Sequence, residues 1–452
     1  MRIVLLSGGS GKRLWPLSNE VRSKAFLKLL SSPDGGMESM IGRTCRGLKE
    51  AGLLHCCCIV THHTQVEITR HHTGGGIPVL GEPQKRGTFT AIALAAAYFH
   101  SVEGADLDET VIVMPVDSFV EPSFFNLLRR LPVSLADSGA DMALLGTVPR
   151  FPSEAFGYIV PKSGKSAGGH FEVGSFIEKP DKAIAESLIS RGGLWNCGVF
   201  ACSQRYLLSC MADREIMPLY SGMLKRYDSL PQESFDREVV EQTSRSVVLP
   251  YDGIWNDLGS WDELSGYLKN RITGKGKISE DSSDTHLVNE LAIPVHIVGA
   301  PGLIVAASSD GILVAGKREA SRIKGELEAG APQPMFEEKR WGSCSILDIS
   351  KSQHGRETVI SKVRMLPGTH TSYHLHRSLN EVWSISSGSG EYVLNGVMRP
   401  VSEGDSIVIP PGSPHAIKAI TLLEFIQVET GTPPVKEDIE RLSLDWNFES
   451  SE

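Results

Sequence analysis

The chain has 452 residues, of which 22% are charged and 41% hydrophobic, and a formal charge of -9 at pH 7. This is the make-up of an ordinary globular protein too long for one core, and its acidic balance lacks the basic footprint of a nucleic-acid binder. No apolar run nears the roughly 18 residues of a membrane span, so neither nucleic acid nor membrane is expected as a partner.

From residue 1 to about 270, short apolar runs alternate with helical stretches, the pattern of an α/β sheet. Strands are expected at residues 3–6, 57–61, 111–115 and 142–148, and a helix in the Ala- and Leu-rich stretch 91–98. Residues 3–6 are too short for a secretory signal and run straight into a glycine-rich loop. The run Cys56-Cys57-Cys58 abuts Ile59 and Val60 and reads as buried strand. With eight cysteines and no Cys-x-x-Cys pair, a reducing, cytoplasmic setting is expected. Residues 271–334 change character, with short strands at 293–298, 303–306 and 312–314 between Gly, Ser and Asp. A Gly- and Pro-rich linker at 330–334 leads into a strand-rich stretch with Gly and Pro at most turns, a small β-barrel. Three domains follow: 1–270, 271–334 and 335–452.

The densest chemistry lies in residues 5–17, Leu-Leu-Ser-Gly-Gly-Ser-Gly-Lys-Arg-Leu-Trp-Pro-Leu. Ser7, Gly8, Gly9 and Gly11 follow an apolar strand, where exposed N–H groups form an anion-binding concavity. Lys12, Arg13 and Lys24 concentrate positive charge where a phosphate chain would lie. The loop is neither a P-loop nor Gly-x-Gly-x-x-Gly. Through Trp15, Pro16, Lys24, Phe26 and Leu27 it resembles the signature of nucleotidyltransferases that make nucleotide-sugars. The likeness is to bacterial mannose-1-phosphate guanylyltransferases of the bifunctional type, fused to a phosphomannose isomerase-like cupin.

That resemblance implies a Rossmann-like mixed sheet with an NTP, taken as GTP, on the glycine loop, and Arg13 and Lys24 against the transferred phosphate. It implies that Asp117, after Met114-Pro115-Val116, and Asp257, in Asp257-Leu258-Gly259-Ser260-Trp261, hold Mg²⁺. Glu82, Arg86 and Thr88 match the nucleotide-side motif, although Gly87 stands where the family has an amide residue. Gly157-Tyr158, Glu178-Lys179 and Asn196 match the segments that hold a hexose 1-phosphate. Thr is usual where Lys12 stands. A homodimer is compatible with this reading.

Towards the C-terminus, Gly368, His374, His376, Glu381 and Gly388 precede Gly404, Pro410, Gly412 and His415 at the spacings of the two cupin motifs. Alternation puts His374 and His376 on one strand face, pointing into a jelly-roll barrel. With Glu381 and His415 they make a set that suits Zn²⁺, Fe²⁺ or Mn²⁺ without choosing among them. Isomerisation of mannose 6-phosphate to fructose 6-phosphate is implied by the family, whose motif reads His-x-His-Arg-x-Glu-His-Trp. Here residues 378–380 lengthen that motif by two and Val382 replaces a histidine. Transfer onto another sugar phosphate or from another NTP, a nucleotide-sugar sensor and a cupin oxygenase remain alternatives.

Overall fold

The computed structural model describes residues 1–9, 12–162, 168–328, 333–353, 355–432, 438–443 and 446–448. The chain divides into two compact units, one of Met1–Gly11 with Ser23–Lys269 and one of Lys12–Arg22 with Asn270–Glu452.

The first unit is built on a nine-stranded mixed sheet. Val79–Glu82, Cys57–His62, Arg2–Leu6 and Thr110–Pro115 lie parallel in that order, and Leu194–Ser203 then runs antiparallel to the last of them. Beyond it come Met142–Thr147, Ser246–Tyr251, Phe171–Ile177 and Tyr158–Pro161. The central strands are buried on both faces, which is why they read as continuous apolar runs rather than alternating ones. Ile3, Leu5 and Ile59 enter one core, and Val4, Cys58 and Val60 the other. The helix Gly87–Ser101 is buried almost all round from Phe89 to Ala97, as its even spread of Ala and Leu requires. Leu6 pairs with Pro115. Gly8 and Asp117 therefore each leave the same sheet edge two residues beyond a paired strand end.

In the second unit, short strands form in all three expected stretches of the linking region, Val295–Ile297, Leu303–Ser308 and Gly311–Gly316, and most of their pairing is parallel. Ile272–Gly274, His286–Asn289 and Leu303–Ser308 stack in parallel, and Gly276–Ile278 pairs in parallel with Val295–Ile297. Gly311–Gly316 returns antiparallel to Leu303–Ser308. This short coil anchors the second half of the N-terminal signature. Ser308 donates to the Pro16 carbonyl at 2.6 Å, Asn19 to Asp310 at 2.8 Å, and Arg22 forks onto both oxygens of Glu290 at 2.9 and 3.0 Å. Trp15 packs so tightly on Gly311 that a Cβ there would lie 2.6 Å from its ring.

The barrel pairs a six-stranded sheet with a five-stranded one. Its core of Val363, Met365, Trp383, Ile385, Ile417 and Phe425 is drawn from alternate strand positions. Linker residues 330–332 lie outside the described residues.

Candidate functional site

The phosphate end of the first unit is organised by Lys24. It lies in a short 3₁₀ turn, Lys24–Phe26, pinned by the buried Ala25 and Phe26. Its ammonium meets Asp117 Oδ2 at 2.9 Å, Asp257 Oδ1 at 2.7 Å and the Asp257 carbonyl at 2.9 Å. Burial alone would pull this lysine down, but the charges of Asp117 and Asp257 outweigh it and hold the ammonium well above its ordinary value. The two aspartates converge because Phe119–Val120 and Trp255–Asn256 form an antiparallel pair beside them. Gly8 and Gly9 are exposed, whereas Ser7 is buried and bonded through its N–H to Val60. Arg13 is exposed on the turn Lys12–Leu14. Gly11 and the Lys12 side chain lie outside the described residues.

Lys24 occupies one oxygen of each aspartate and leaves Asp117 Oδ1 and Asp257 Oδ2 for another cation. Two partly exposed carboxylates beside a glycine loop fit Mg²⁺, which takes one or two protein carboxylates plus phosphate oxygens.

The nucleotide-side motif is clasped to the segment 227–235. Tyr227 donates to Glu82 Oε1 at 2.6 Å, Thr88 Oγ1 accepts from the Phe235 N–H at 2.9 Å, and Arg86 donates to the carbonyls of Asp228 and Leu230. The guanidinium of Arg86 and the hydroxyl oxygen of Thr88 thus each have protein partners in this segment. Gly87 has φ +81, and a Cβ there would lie 2.2 Å from the Glu233 carbonyl oxygen. The family's amide side chain is missing here for a steric reason: this backbone contact admits only glycine.

Glu82 lies against the glycine loop, 3.9 Å from where a Gly8 Cβ would stand. Burial pushes its carboxyl up to about 6, although the Tyr227 hydroxyl pulls the other way. Folding therefore favours the protonated acid. That contribution is complete below its ordinary 4.5 and is lost as the pH rises through about 6. Glu82→Gln keeps an acceptor for Tyr227, so it should raise stability at neutral pH by up to about 2 kcal/mol. Chemical denaturation should show little gain at about pH 4; an equal gain at both pH values would clear Glu82 of this role.

On the sugar side, the structure gathers Gly157, Glu178 and Asn196. The Asn196 N–H donates to the Gly157 carbonyl at 2.8 Å, and a Cβ on Gly157 would lie 2.6 Å from Glu178 Oε2. Lys179, strained at φ +48, pairs with Glu178 at 3.0 Å and remains exposed. Tyr158 does not join them: its ring is in the core and its hydroxyl bonds the Ser153 backbone. Only its main chain flanks the site. Sequence reading missed Asp236, which accepts from the Asn196 amide at 2.9 Å. Burial and the charge of Glu178 push its carboxyl up to about 6. The short π-turn Asp236–Val240 that presents it carries no motif that spacing could reveal.

In the barrel, His374 and His415 are direct cross-strand partners, and ligand nitrogens of His374, His376 and His415 lie within 4.8 Å of one another. Each Nδ1 faces a backbone carbonyl, of Ser372, Asp438 and Ser413 respectively, which turns each Nε2 inward as a ligand. Glu381 Oε2 approaches His415 Nε2 to 3.1 Å and His376 Nε2 to 3.4 Å, while Trp383 donates to its other oxygen at 2.5 Å. Despite that closeness, Glu381 Oε2 and His415 Nε2 are buried without a well-formed hydrogen bond. Inward-facing lone pairs without donors are what a divalent transition metal satisfies, so the residues fit one. Burial, with His415 beside it, pushes His374 down to about 3, keeping its imidazole neutral and able to ligate. Val382 alternates away from Glu381, so the loss of the family histidine there leaves the ligands untouched. The lengthened turn is tied down by Asp438, which accepts from the N–H groups of Arg377 and Ser378.

Residues 2–270 match the nucleotidyl transferase family model and residues 361–428 a cupin domain model. The chain belongs to the nucleotidyl transferase family and carries a cupin domain behind it. It is 29% identical to the Pseudomonas aeruginosa alginate biosynthesis protein AlgA, over 97% of this chain and 95% of that protein. It is 28% identical to an Escherichia coli mannose-1-phosphate guanylyltransferase, over 97% of this chain and 98% of that one. A solved structure from Thermus thermophilus, described as a mannose-1-phosphate geranyltransferase, matches with a TM-score of 0.60 at 26% identity, covering 73% of this chain and 98% of that one. No helix among the described residues is long and apolar enough to cross a membrane.

Proposed function

We propose that the chain transfers a guanylyl group from GTP to mannose 1-phosphate, releasing pyrophosphate and forming GDP-mannose. The observation that carries this reading is the Lys24 ammonium between Asp117 and Asp257, at the sheet edge where Gly8 emerges. A phosphate oxygen of the sugar phosphate attacks the α-phosphorus, and the bond from that phosphorus to the pyrophosphate oxygen breaks. No covalent intermediate with the protein is needed. Charge grows on the transferring phosphoryl and leaving pyrophosphate, so positioned cations do most of the work. Lys24 meets the transferring group; Arg13 is kept in this role on the signature alone. Mg²⁺, held by Asp117 and Asp257, would neutralise phosphate charge.

The Gly8 and Gly9 amides are assigned to the phosphate chain, and Ser7 and Lys12 keep that role on the signature alone. Glu82 is assigned to the base, since a carboxylate accepts from the adjacent N–H donors that guanine offers and adenine lacks. Arg86 and Thr88 act by bracing the base wall. Gly157, Glu178 and Asn196 hold the sugar hydroxyls, with Asp236 orienting the Asn196 amide, and Lys179 holds the sugar phosphate. For the barrel we propose a divalent metal, with isomerisation of mannose 6-phosphate as a second activity. The outward direction of Val382 favours it, because the departure from the family lies off the ligand face.

Pyrophosphate release with Mg²⁺ should be assayed with GTP, ATP, CTP and UTP against mannose 1-phosphate and glucose 1-phosphate. GTP with mannose 1-phosphate is expected to be the productive pair. A different best pair would overturn the substrate assignment and keep the transfer; silence across the grid would overturn both.

A further inference from the structure

The barrel holds a second buried carboxylate that the cupin spacing does not pick out. Glu429 lies on the strand Leu423–Gly431, in step with the inward-facing Leu423 and Phe425. It is the direct cross-strand partner of Glu381. The two are 8% and 2% exposed, so both carboxylates face the same interior. Oxygens of Glu381 and Glu429 and a ring nitrogen of His376 lie within 4.8 Å of one another.

Like charges directly opposite on adjacent strands repel, and a cation between them would offset that repulsion. A divalent ion held by three imidazoles and one carboxylate keeps a net positive charge in the barrel. A second carboxylate brings that total to zero. It also adds an oxygen donor to a set already at the four ligands of tetrahedral Zn²⁺, moving it towards ions that accept more ligands and harder ones.

We propose that Glu429 is a fifth protein donor to the barrel metal, completing a set of three imidazoles and two carboxylates that selects Mn²⁺ or Fe²⁺ over Zn²⁺. This rests on the reading of the barrel as a metal site. The test is Mn²⁺ binding to the chelator-treated full chain, with excess Mg²⁺ to occupy the transferase carboxylates and Zn²⁺ as competitor. Water-proton relaxation reads the water ligands on the bound Mn²⁺. Glu429→Leu should weaken Mn²⁺ binding by about tenfold or more and raise relaxation, as water enters the vacated position. Glu429→Gln, which keeps the side-chain shape, should weaken it in the same direction. Zn²⁺ should displace Mn²⁺ more readily from either variant than from the unaltered chain. Glu424→Gln, on the opposite face of the same strand, should change neither reading. Mn²⁺ binding and relaxation unchanged in Glu429→Leu would overturn the proposal. So would weaker binding with unchanged relaxation, which would make Glu429 a prop for His376 rather than a ligand. Failure of the unaltered chain to bind Mn²⁺, Fe²⁺ or Zn²⁺ would instead sink the metal-site reading itself.

Discussion

Asp257→Ala is expected to lower kcat for pyrophosphate release by about 10²–10³-fold or more, with a folded protein left behind. Three contacts share the one ammonium of Lys24. Lys24 is bonded by Asp117, by the Asp257 carboxylate and by the Asp257 carbonyl. Truncation removes only the second, so Lys24 keeps a charged partner and a backbone acceptor. The fold is not asked to bury a lone cation, which would cost far more. What disappears is negative charge at the place where a cation must meet the transferring phosphate. Since that charge matters most as the leaving group departs, the loss should fall on kcat rather than on KM. Asp257→Asn, which preserves shape, should be nearly as damaging. A variant of either kind within tenfold of the unaltered rate would remove Asp257 from the reacting centre.

The parts of this site that sequence made visible are those set by main-chain geometry. Gly8 and Gly9 after an apolar strand, and Asp117 after another, need only parallel pairing of two buried runs to reach one edge. The barrel histidines were legible for a similar reason: alternation puts His374 and His376 on one face whatever surrounds them. Side-chain partnerships were not legible. Nothing local to Arg86 or Thr88 announces that they bond to residues 228 and 235, some 140 positions away. Asp236 and Tyr158 fall under the same heading, one drawn in and one turned away by packing. Glu429 did leave a trace, because strand parity from Phe425 places it inward. Its neighbours Ile426 and Val428 are apolar on the outward face, however, and that obscures the alternation. The parallel coil of 272–308 stayed hidden because short strands at this spacing suit hairpins equally well.

His415→Ala should abolish the stabilisation that metal gives the barrel. His415 is fully buried, faces His374 across two strands and stands 3.1 Å from Glu381 Oε2. Its imidazole therefore lies against both His374 and Glu381. For the unaltered chain, metal at about 100 times its Kd should add about 2.7 kcal/mol to the stability of the fold that binds it. That increment should disappear on treatment with a chelator, read as a fall in the melting temperature of the barrel's transition. In His415→Ala the chelated and metal-supplied melts should coincide. The variant should also melt below the chelated unaltered chain, because a cavity replaces a buried ring. These two losses have separate origins and separate readouts. The first vanishes if the site never held metal, whereas the second remains. A His415→Ala protein that still gains stability from Mn²⁺, Fe²⁺ or Zn²⁺ would show that the ion is held elsewhere, and the inward-facing imidazoles would then need another purpose.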